Sequence, residues 1–582
     1  MFNYPVISYT VGLMQSSSIK NELFVVWASF LLLLLGSADT MTAFNFNDSS
    51  QQTRSMMNQG LHVIYLLLLI LYYKGQLRYS FVISLFLLWA LSVVRLALRA
   101  WAYRTTCRSH GLVRENQIVH EYMEYEPLHS AGITGGTYDP KTMSGYIYLV
   151  DGKEEKKVQH GVEVIQVPYR VALKGQGPDY VEPTPFVVPR ETVDVDRVWQ
   201  CKGKLLGSST NRGASKRRDL CLSFALFKLL RLRFAADHIG NVNLPFQRDK
   251  CRDFVVNGLL SDDKDLDRAF RVVEVELAFL FDFFYARYPS IKNSLAPDLI
   301  VYVAILATSI FTLFCPDLMR YQPAEGGTNI LIAGGLNLDL LITRLVILWY
   351  IFIESYQFLA HFIFSDWHKV KMLCRYVRNE SWHNWTLVEI PLKVLCHFTF
   401  KKYWKGTIGQ YFLLDNTHPH RFKSFLSWIS LQSLDASLMT KSISLDDEVR
   451  HAVLRQLKKC RGEITDGRMS LRKLGVYDKD ILLGHTYARY ILTWHVATSM
   501  CSYGLEDMEN TSAELKKNHR IATKLSGYCM YLLAFQPELI PDSTYRSLSM
   551  ARGSLQNARD YLADCNSNKD KYDKLVKLGC AR

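Results

Sequence analysis

The 12 cysteines of this 582-residue chain are scattered, and no two form a Cys-x-x-Cys pair. That spacing excludes a secreted disulfide framework and leaves a zinc site only to residues far apart in sequence. A phosphate-binding loop, a kinase signature, a nucleophile elbow and a His-Glu-x-x-His helix are all missing. Gly175-Gln-Gly177 lacks the third glycine of a dinucleotide fingerprint. No catalytic residue, cofactor-binding residue, cofactor or metal ligand is therefore assigned, which leans against an enzyme. Neither a fixed-period repeat nor a low-complexity tract occurs. Acidic residues are the scarcer charge, 55 against 69 basic, giving a net charge of +14 and a pI near 9.1. In a chain with long apolar runs, such an excess marks faces beside anionic lipid. The expected partners are the lipid bilayer and unidentified proteins, with no nucleic acid.

What the chain does have is apolar runs separated by long polar stretches. Five spans are expected, at about residues 23–43, 56–73, 81–103, 295–315 and 329–353. A hydrocarbon core needs about 20 residues. The first run reaches that length only by including Asp39, and the second carries His62. The first reads as a retained anchor rather than a secretory signal. Cys580 lies third from the end, not at the prenylation position. Arg95, Arg99 and Arg104 stand late in the third span, where long basic side chains snorkel to the interface.

Basic residues follow the third span, and Lys369, Lys371, Arg375 and Arg378 follow the fifth. Both flanks should be cytosolic, which puts the N-terminus outside. Lys74 and Arg78 then lie outside, a mild conflict. The acceptor motifs at Asn47, Asn379, Asn384 and Asn510 fall on the cytosolic side.

Between the two groups of spans, β-prone runs at 145–150, 162–169 and 180–188 suggest a small sheet. Residues 202–218 read as a basic, Gly/Ser-rich mobile loop, with a helix opening at Asp219. In the stretch LDRAFRVVEVELAFLFDFFYARYP from Leu266, the residues Asp267, Arg271, Glu274 and Asp282 share a helical stripe. We read it as structural, with Arg268 and Arg271 neutralising Glu274, Glu276 and Asp282. Asp282 is expected to be buried and bonded.

The fifth span carries the candidate intramembrane polar site: Asp339, Arg344 and Glu354. Ionisable groups inside a span often line a pathway. Asp339 and Arg344 are five apart, which makes them poor intrahelical partners. Arg344, deeper in the apolar run, is expected to be held by carboxylates (Asp282 and Glu274, or Asp339 across a distorted turn) or by backbone carbonyls, locking the span against the helix before the fourth. His361, Asp366 and His368 follow this span; His361 and His368, seven apart, are compatible with a metal ligand pair, but no close third ligand has a standard spacing. Near the C-terminus, Tyr487, Tyr490, Ile491, Trp494 and Thr498 form one stripe, and Tyr528, Leu532 and Phe535 another. Two such helices should pack as a hairpin, with Trp494 packed and His495 hydrogen-bonded.

Several strings carry a resemblance. NELFVVWASFLLLLLGSADT from Asn21, DLCLSFALFKLLRLRF from Asp219, DRAFRVVEVELAFLFDFFYARYP from Asp267 and GQYFLL from Gly409 are similar to the plant membrane family known as domain of unknown function 4220. ILTWHVATSMC from Ile491 and GYCMYLLAFQPELIP from Gly527 resemble domain of unknown function 594. The resemblance implies a land-plant, multi-pass protein and brings no agreed activity or site.

The expected fold class is mainly α: a multi-pass helical membrane protein of about five spans with a mixed α/β cytosolic middle region and a helical C-terminal cytosolic domain. The expected regions are 1–103 and 294–366 in the membrane, with 104–293, 367–480 and 481–582 in the cytosol. The location is the plasma membrane or an endomembrane, with the C-terminus cytosolic. The function expected is a membrane-anchored scaffold or signalling component. The alternatives are transport along Asp339, Arg344 and Glu354, and a membrane-embedded enzyme.

Overall fold

A computed structural model describes residues 23–38, 49–107, 138–165, 192–234, 248–284, 296–319, 332–416, 441–461 and 486–580, apart from short gaps, and a few isolated positions. The run expected at 180–188, Gly175-Gln-Gly177 and the sequons at Asn47, Asn384 and Asn510 lie outside the described residues. The chain is mostly helical. Its helices are α1 Leu23–Ala38, α2 Ser49–Tyr73, α3 Tyr79–Cys107, α4 Val195–Gln200, α5 Arg212–Phe234, α6 Arg248–Asp253, α7 Leu266–Phe284 and α8 Ala296–Phe314. There follow α9 Leu338–Gln357, α10 Asp366–Arg378, α11 Thr386–His397, α12 Asp447–Lys459, α13 Tyr487–Leu505, α14 Ala513–Phe535, α15 Thr544–Tyr561 and α16 Asn568–Cys580. Two compact units emerge: residues 1–248 with 271–403, and residues 249–270 with 404–582.

The first unit contains a bundle of α1, α2, α3, α8 and α9. α1 has no charged residue and is buried nearly all round, from Leu23 through Phe30. It touches α2, α3 and α9 and forms the bundle's axis. Trp27 donates from Nε1 to Thr343 Oγ1 at 2.6 Å, and the Phe30 ring meets Tyr350 edge-on at 5.3 Å. Trp89 of α3 donates to the Val63 carbonyl of α2 at 3.1 Å. On α8, the hydroxyls of Thr308, Ser309 and Thr312 donate to carbonyls four residues earlier, so the helix satisfies its own polar groups.

The outer face of the bundle is apolar. Leu61, Ile64, Leu68, Ile83, Leu87, Ile300, Val303, Phe311, Leu345, Leu348 and Phe352 are all exposed. Two helical stretches are long and apolar enough to cross a membrane, Met56–Tyr73 and Tyr79–Leu98, while Leu23–Leu34 and Leu299–Phe314 are apolar but shorter. The fifth helix starts later than its apolar run. An antiparallel pair of short β-strands, Ile332–Ala333 and Leu336–Asn337, precedes it. Asn337 then caps α9, accepting from the amides of Asp339 and Leu340.

The same unit holds the small mixed α/β region. Strand Leu149–Asp151 pairs antiparallel with Val193–Asp194, and Lys156–Gln159 pairs with Val162–Ile165. Asp194 caps α4 by accepting from the Arg197 amide at 2.8 Å. Phe224 and Phe227 of α5, Phe279 of α7 and Trp367 of α10 form one aromatic knot, with centroids 5.1–6.0 Å apart. The described parts of the stretch expected as a mobile loop, 202–207 and 212–218, are ordered instead. Residues 201–207 turn tightly, and α5 begins at Arg212, seven residues before Asp219. Arg217 is buried and donates to the Leu205 carbonyl at 2.9 Å, so its charge serves a fixed turn rather than a solvated loop.

The second unit is built on strand Thr407–Gln410, which pairs with Lys441–Ser444, and on α13–α16. Tyr411 donates its amide to the Gly527 carbonyl at 3.1 Å, and Gln410 reaches the Lys524 carbonyl at 2.9 Å. The GQYFLL string is thus laid along α14. A Cβ on Gly409 would fall 2.6 Å from the Tyr531 ring, so the close approach requires glycine. α13 and α14 do pack together, but through a different face than expected. The buried stripe of α13 is Ala488, Leu492, His495, Ser499 and Tyr503, whereas Tyr487 and Trp494 are exposed. Small and polar residues let the helices approach closely, which ranking by hydrophobicity overlooks.

Candidate functional site

The buried face of α9 reads Asp339, Thr343, Ile347, Tyr350, Glu354 and Gln357. Their spacing keeps all six within about 80° of the helix circumference. Arg344 lies about 100° from the middle of that stripe and is exposed, between Leu341, Leu345 and Leu348 on the outer face. Arg344 is therefore not the buried cation of the bundle, contrary to the burial expected from its depth in the apolar run.

The cation that enters the bundle is Arg95. Its Nη1 lies 2.7 Å from Glu354 Oε1, and Glu354 is only 3% exposed. Arg95 continues the inward stripe of α3 that runs Phe81, Leu85, Leu88 and Ser92. It does not snorkel, because it has a carboxylate within reach inside the protein. The Tyr350 hydroxyl donates to the same glutamate. Beside this pair lies a cavity of about 50 Å³ lined by Leu32, Leu33, Gln59, His62, Ser92, Arg95 and Tyr350, among others. It has room for a few waters and is far below the size of a metabolite pocket.

Asp339 is a separate feature. It sits fifteen residues before Glu354, about 22 Å along the helix. Buried in the first turn of α9, it faces the positive end of the helix dipole. The structure thus brings Glu354 together with Arg95 and leaves Asp339 and Arg344 outside that site.

The stripe on α7 divides among several partners. Asp267 meets His451 at 3.4 Å and Arg450 at 3.9 Å within the second unit. Arg271 bonds Asp219 at 3.1 Å, not the acids of its own helix. Asp282 is 7% exposed, buried as expected. The Tyr403 phenol bonds Asp366 and lies near Glu274 and Asp282. Burial and these acids push that phenol well up. Asp366 also holds the buried Lys369 at 2.8 Å. That carboxylate is already committed, and among the described residues no cluster of His, Cys, Asp and Glu could hold a metal ion. Burial, then Lys371 and Arg375, holds the His368 imidazole below its ordinary range.

In the second unit, His495 is 1% exposed. Its Nε2 accepts the Leu413 amide at 3.1 Å, which leaves the proton on Nδ1 to donate to Ser526 Oγ at 2.9 Å. Burial pushes its pKa down to about 4. The imidazole is a neutral strut for GQYFLL.

No curated protein and no solved structure matches the chain. Residues 1–416 match the model of a family described as a domain of unknown function, DUF4220. That match runs from the first residue through the bundle, the mixed α/β region and the GQYFLL strand, and the chain belongs to this family.

Proposed function

We propose that this is a five-span plant membrane protein acting as a membrane-anchored scaffold or signalling component, with an N-terminus outside and both larger polar regions in the cytosol. The carrying observation is that the bundle is apolar outside as well as inside: Leu, Ile, Val and Phe are exposed on its outer face, while the Arg95–Glu354 pair is turned inward. Such a surface suits lipid rather than water. Helix directions agree with alternation across a bilayer. Trp27 meets Thr343 and Phe30 meets Tyr350, so α1 and α9 run parallel. Trp89 meets Val63, and Gly60 lies by Leu96, so α2 and α3 run antiparallel. Tyr302 meets Ser355 and stacks on Phe358, which suits α8 leading into a returning α9. The cavity and the Arg95–Glu354 pair fall at the end of the bundle from which α3 and α9 depart toward the polar regions.

The C-terminal helices, which resemble domain of unknown function 594, would be part of the partner-binding surface. Proximity labelling from a C-terminal tag, with protease digestion of intact microsomes, tests this reading. The tag should be digested, and the labelled proteins should be cytosolic. A protected tag would overturn the orientation. Transport is the second reading, favoured by the cavity against α9, into whose lining Gln59, His62, Ser92 and Arg95 enter. The small volume and the separation of Asp339 and Arg344 from Glu354 weigh against a metabolite and leave an ion or proton as the cargo.

A further inference from the structure

We propose that α11 is an in-plane membrane helix, lying in the boundary between lipid headgroups and acyl chains. The inference rests on the membrane reading above. α11 is fixed to its own unit on one side only. Glu389 accepts from the Tyr376 hydroxyl at 2.9 Å, and Leu392 is buried. Burial pushes the Cys396 thiol on this side up to about 11. Directly opposite, Leu387, Ile390 and Val394 are 74%, 59% and 48% exposed, and Phe398 extends the same line. These positions cover about 80° of the helix, the width of an apolar stripe that sinks into a surface.

Four further observations select lipid as the occupant. First, the flanks of the stripe are those of an interfacial helix: Trp385 exposed at its start, with Lys393 and His397 exposed along one edge. Second, α11 has 12 residues, too few to span, and Pro391 leaves the Leu387 carbonyl without its helical donor. Water at the interface can serve that carbonyl, and hydrocarbon cannot. Third, α11 belongs to the same compact unit as the apolar outer face of α9, which carries on through Phe352, Tyr356 and Leu359. Fourth, α7 leaves a second stripe exposed in this unit, at Val273, Leu277 and Phe281. The Tyr403 phenol, beyond the end of α11, sits near Asp282, about 140° around α7 from the middle of that stripe. α11 and the C-terminal part of α7 turn Glu389 and Asp282 inward and apolar residues outward, the reverse of a helix made for water.

The test uses the full chain in vesicles of phosphatidylcholine and phosphatidylserine. They are doped with a phosphatidylcholine bearing a photoactivatable group on its acyl chain, and adducts are mapped by peptide mass spectrometry. Adducts on residues 385–398 together with adducts on the outer face of α9 are the expected result. Adducts on α9 with none on 385–398 overturn this inference and leave the membrane reading standing; a protein-binding role for the stripe belongs to that outcome. No adducts on either overturn both. A variant with Ile390→Glu and Val394→Glu, both exposed positions, should cut labelling of the segment by about tenfold relative to α9. Unchanged labelling of that variant would also overturn the inference.

Discussion

The bundle and the C-terminal unit each bury an ionisable side chain, Glu354 and His495, and they do it in opposite ways. In the bundle, Arg95 and Glu354 meet as ions at 2.7 Å. In the C-terminal unit, His495 is kept neutral between an amide and a hydroxyl. Their surfaces differ in the same sense. The bundle exposes Leu61, Leu68, Leu345 and Phe352, whereas α14 exposes Glu514, Lys516, Lys517 and Arg520. A charged pair inside an apolar envelope is costly and persists where each ion answers the other. A lone buried imidazole avoids that cost by staying uncharged. The inside of each region is thus matched to its outside.

The largest effects should come from splitting the ion pair. Arg95→Met leaves Glu354 buried without its cation and should cost roughly 3–5 kcal/mol. The double variant with Glu354→Leu should recover much of that loss. Melting in detergent and steady-state amount, arranged as a double-mutant cycle, measure the coupling. Additive single effects would show that the pair is incidental.

The histidine comes next, through pH. Its folded pKa of about 4 lies below the ordinary value of about 6.5. The unfolded chain therefore binds the proton first as the pH falls. Stability is full above pH 6.5 and is lost between about 6.5 and 4, by about 3 kcal/mol. A proton on Nε2 would also face the Leu413 N–H. Hydrogen exchange of the 409–416 amides, corrected for intrinsic rates, should reveal the loss, and His495→Gln should flatten it. Gly409→Ala is expected to cost about 1–3 kcal/mol, because the Tyr531 ring has to move; loss of protection confined to this unit is its readout. Smallest of all is Arg344→Leu. On the outer face of α9 it should shift stability by no more than about 0.5 kcal/mol. A melting shift as large as that of Arg95→Met would restore Arg344 to the interior.

Much of this comparison was legible in the sequence, and the failures arise where burial is set by angle around a helix, by close packing or by partners distant in the chain. The helices of the bundle follow from their apolar runs, and the burial of Asp282 follows from its place on an apolar helix. Arg344 was misplaced because depth along a run says nothing about angle around the helix. The spacing of Asp339, Thr343, Tyr350, Glu354 and Gln357 contains that angle. The same reading of α3 puts Arg95 in line with Phe81, Leu85 and Leu88. Trp494 was given the buried place of His495 because hydrophobicity was weighed above close packing. The tight turn at 201–207 was hidden because its order comes from Arg217 and from Tyr376, far away in sequence, against Gly203. Among the described residues the Arg95–Glu354 pair joins positions 259 apart, a contact that no local pattern predicts.

The central claim is that the bundle crosses a bilayer with the Arg95–Glu354 end toward the cytosol. Glycosylation-acceptor mapping tests it directly: acceptor sequences on long spacers are inserted in turn at residues 39–48, 74–78, 235–247, 320–331 and 417–440, in the full chain synthesised with microsomes. The account predicts glycan at 74–78 and 320–331 and none at the other three. Glycan at 235–247 or 417–440, or none at either of the two predicted loops, would contradict it.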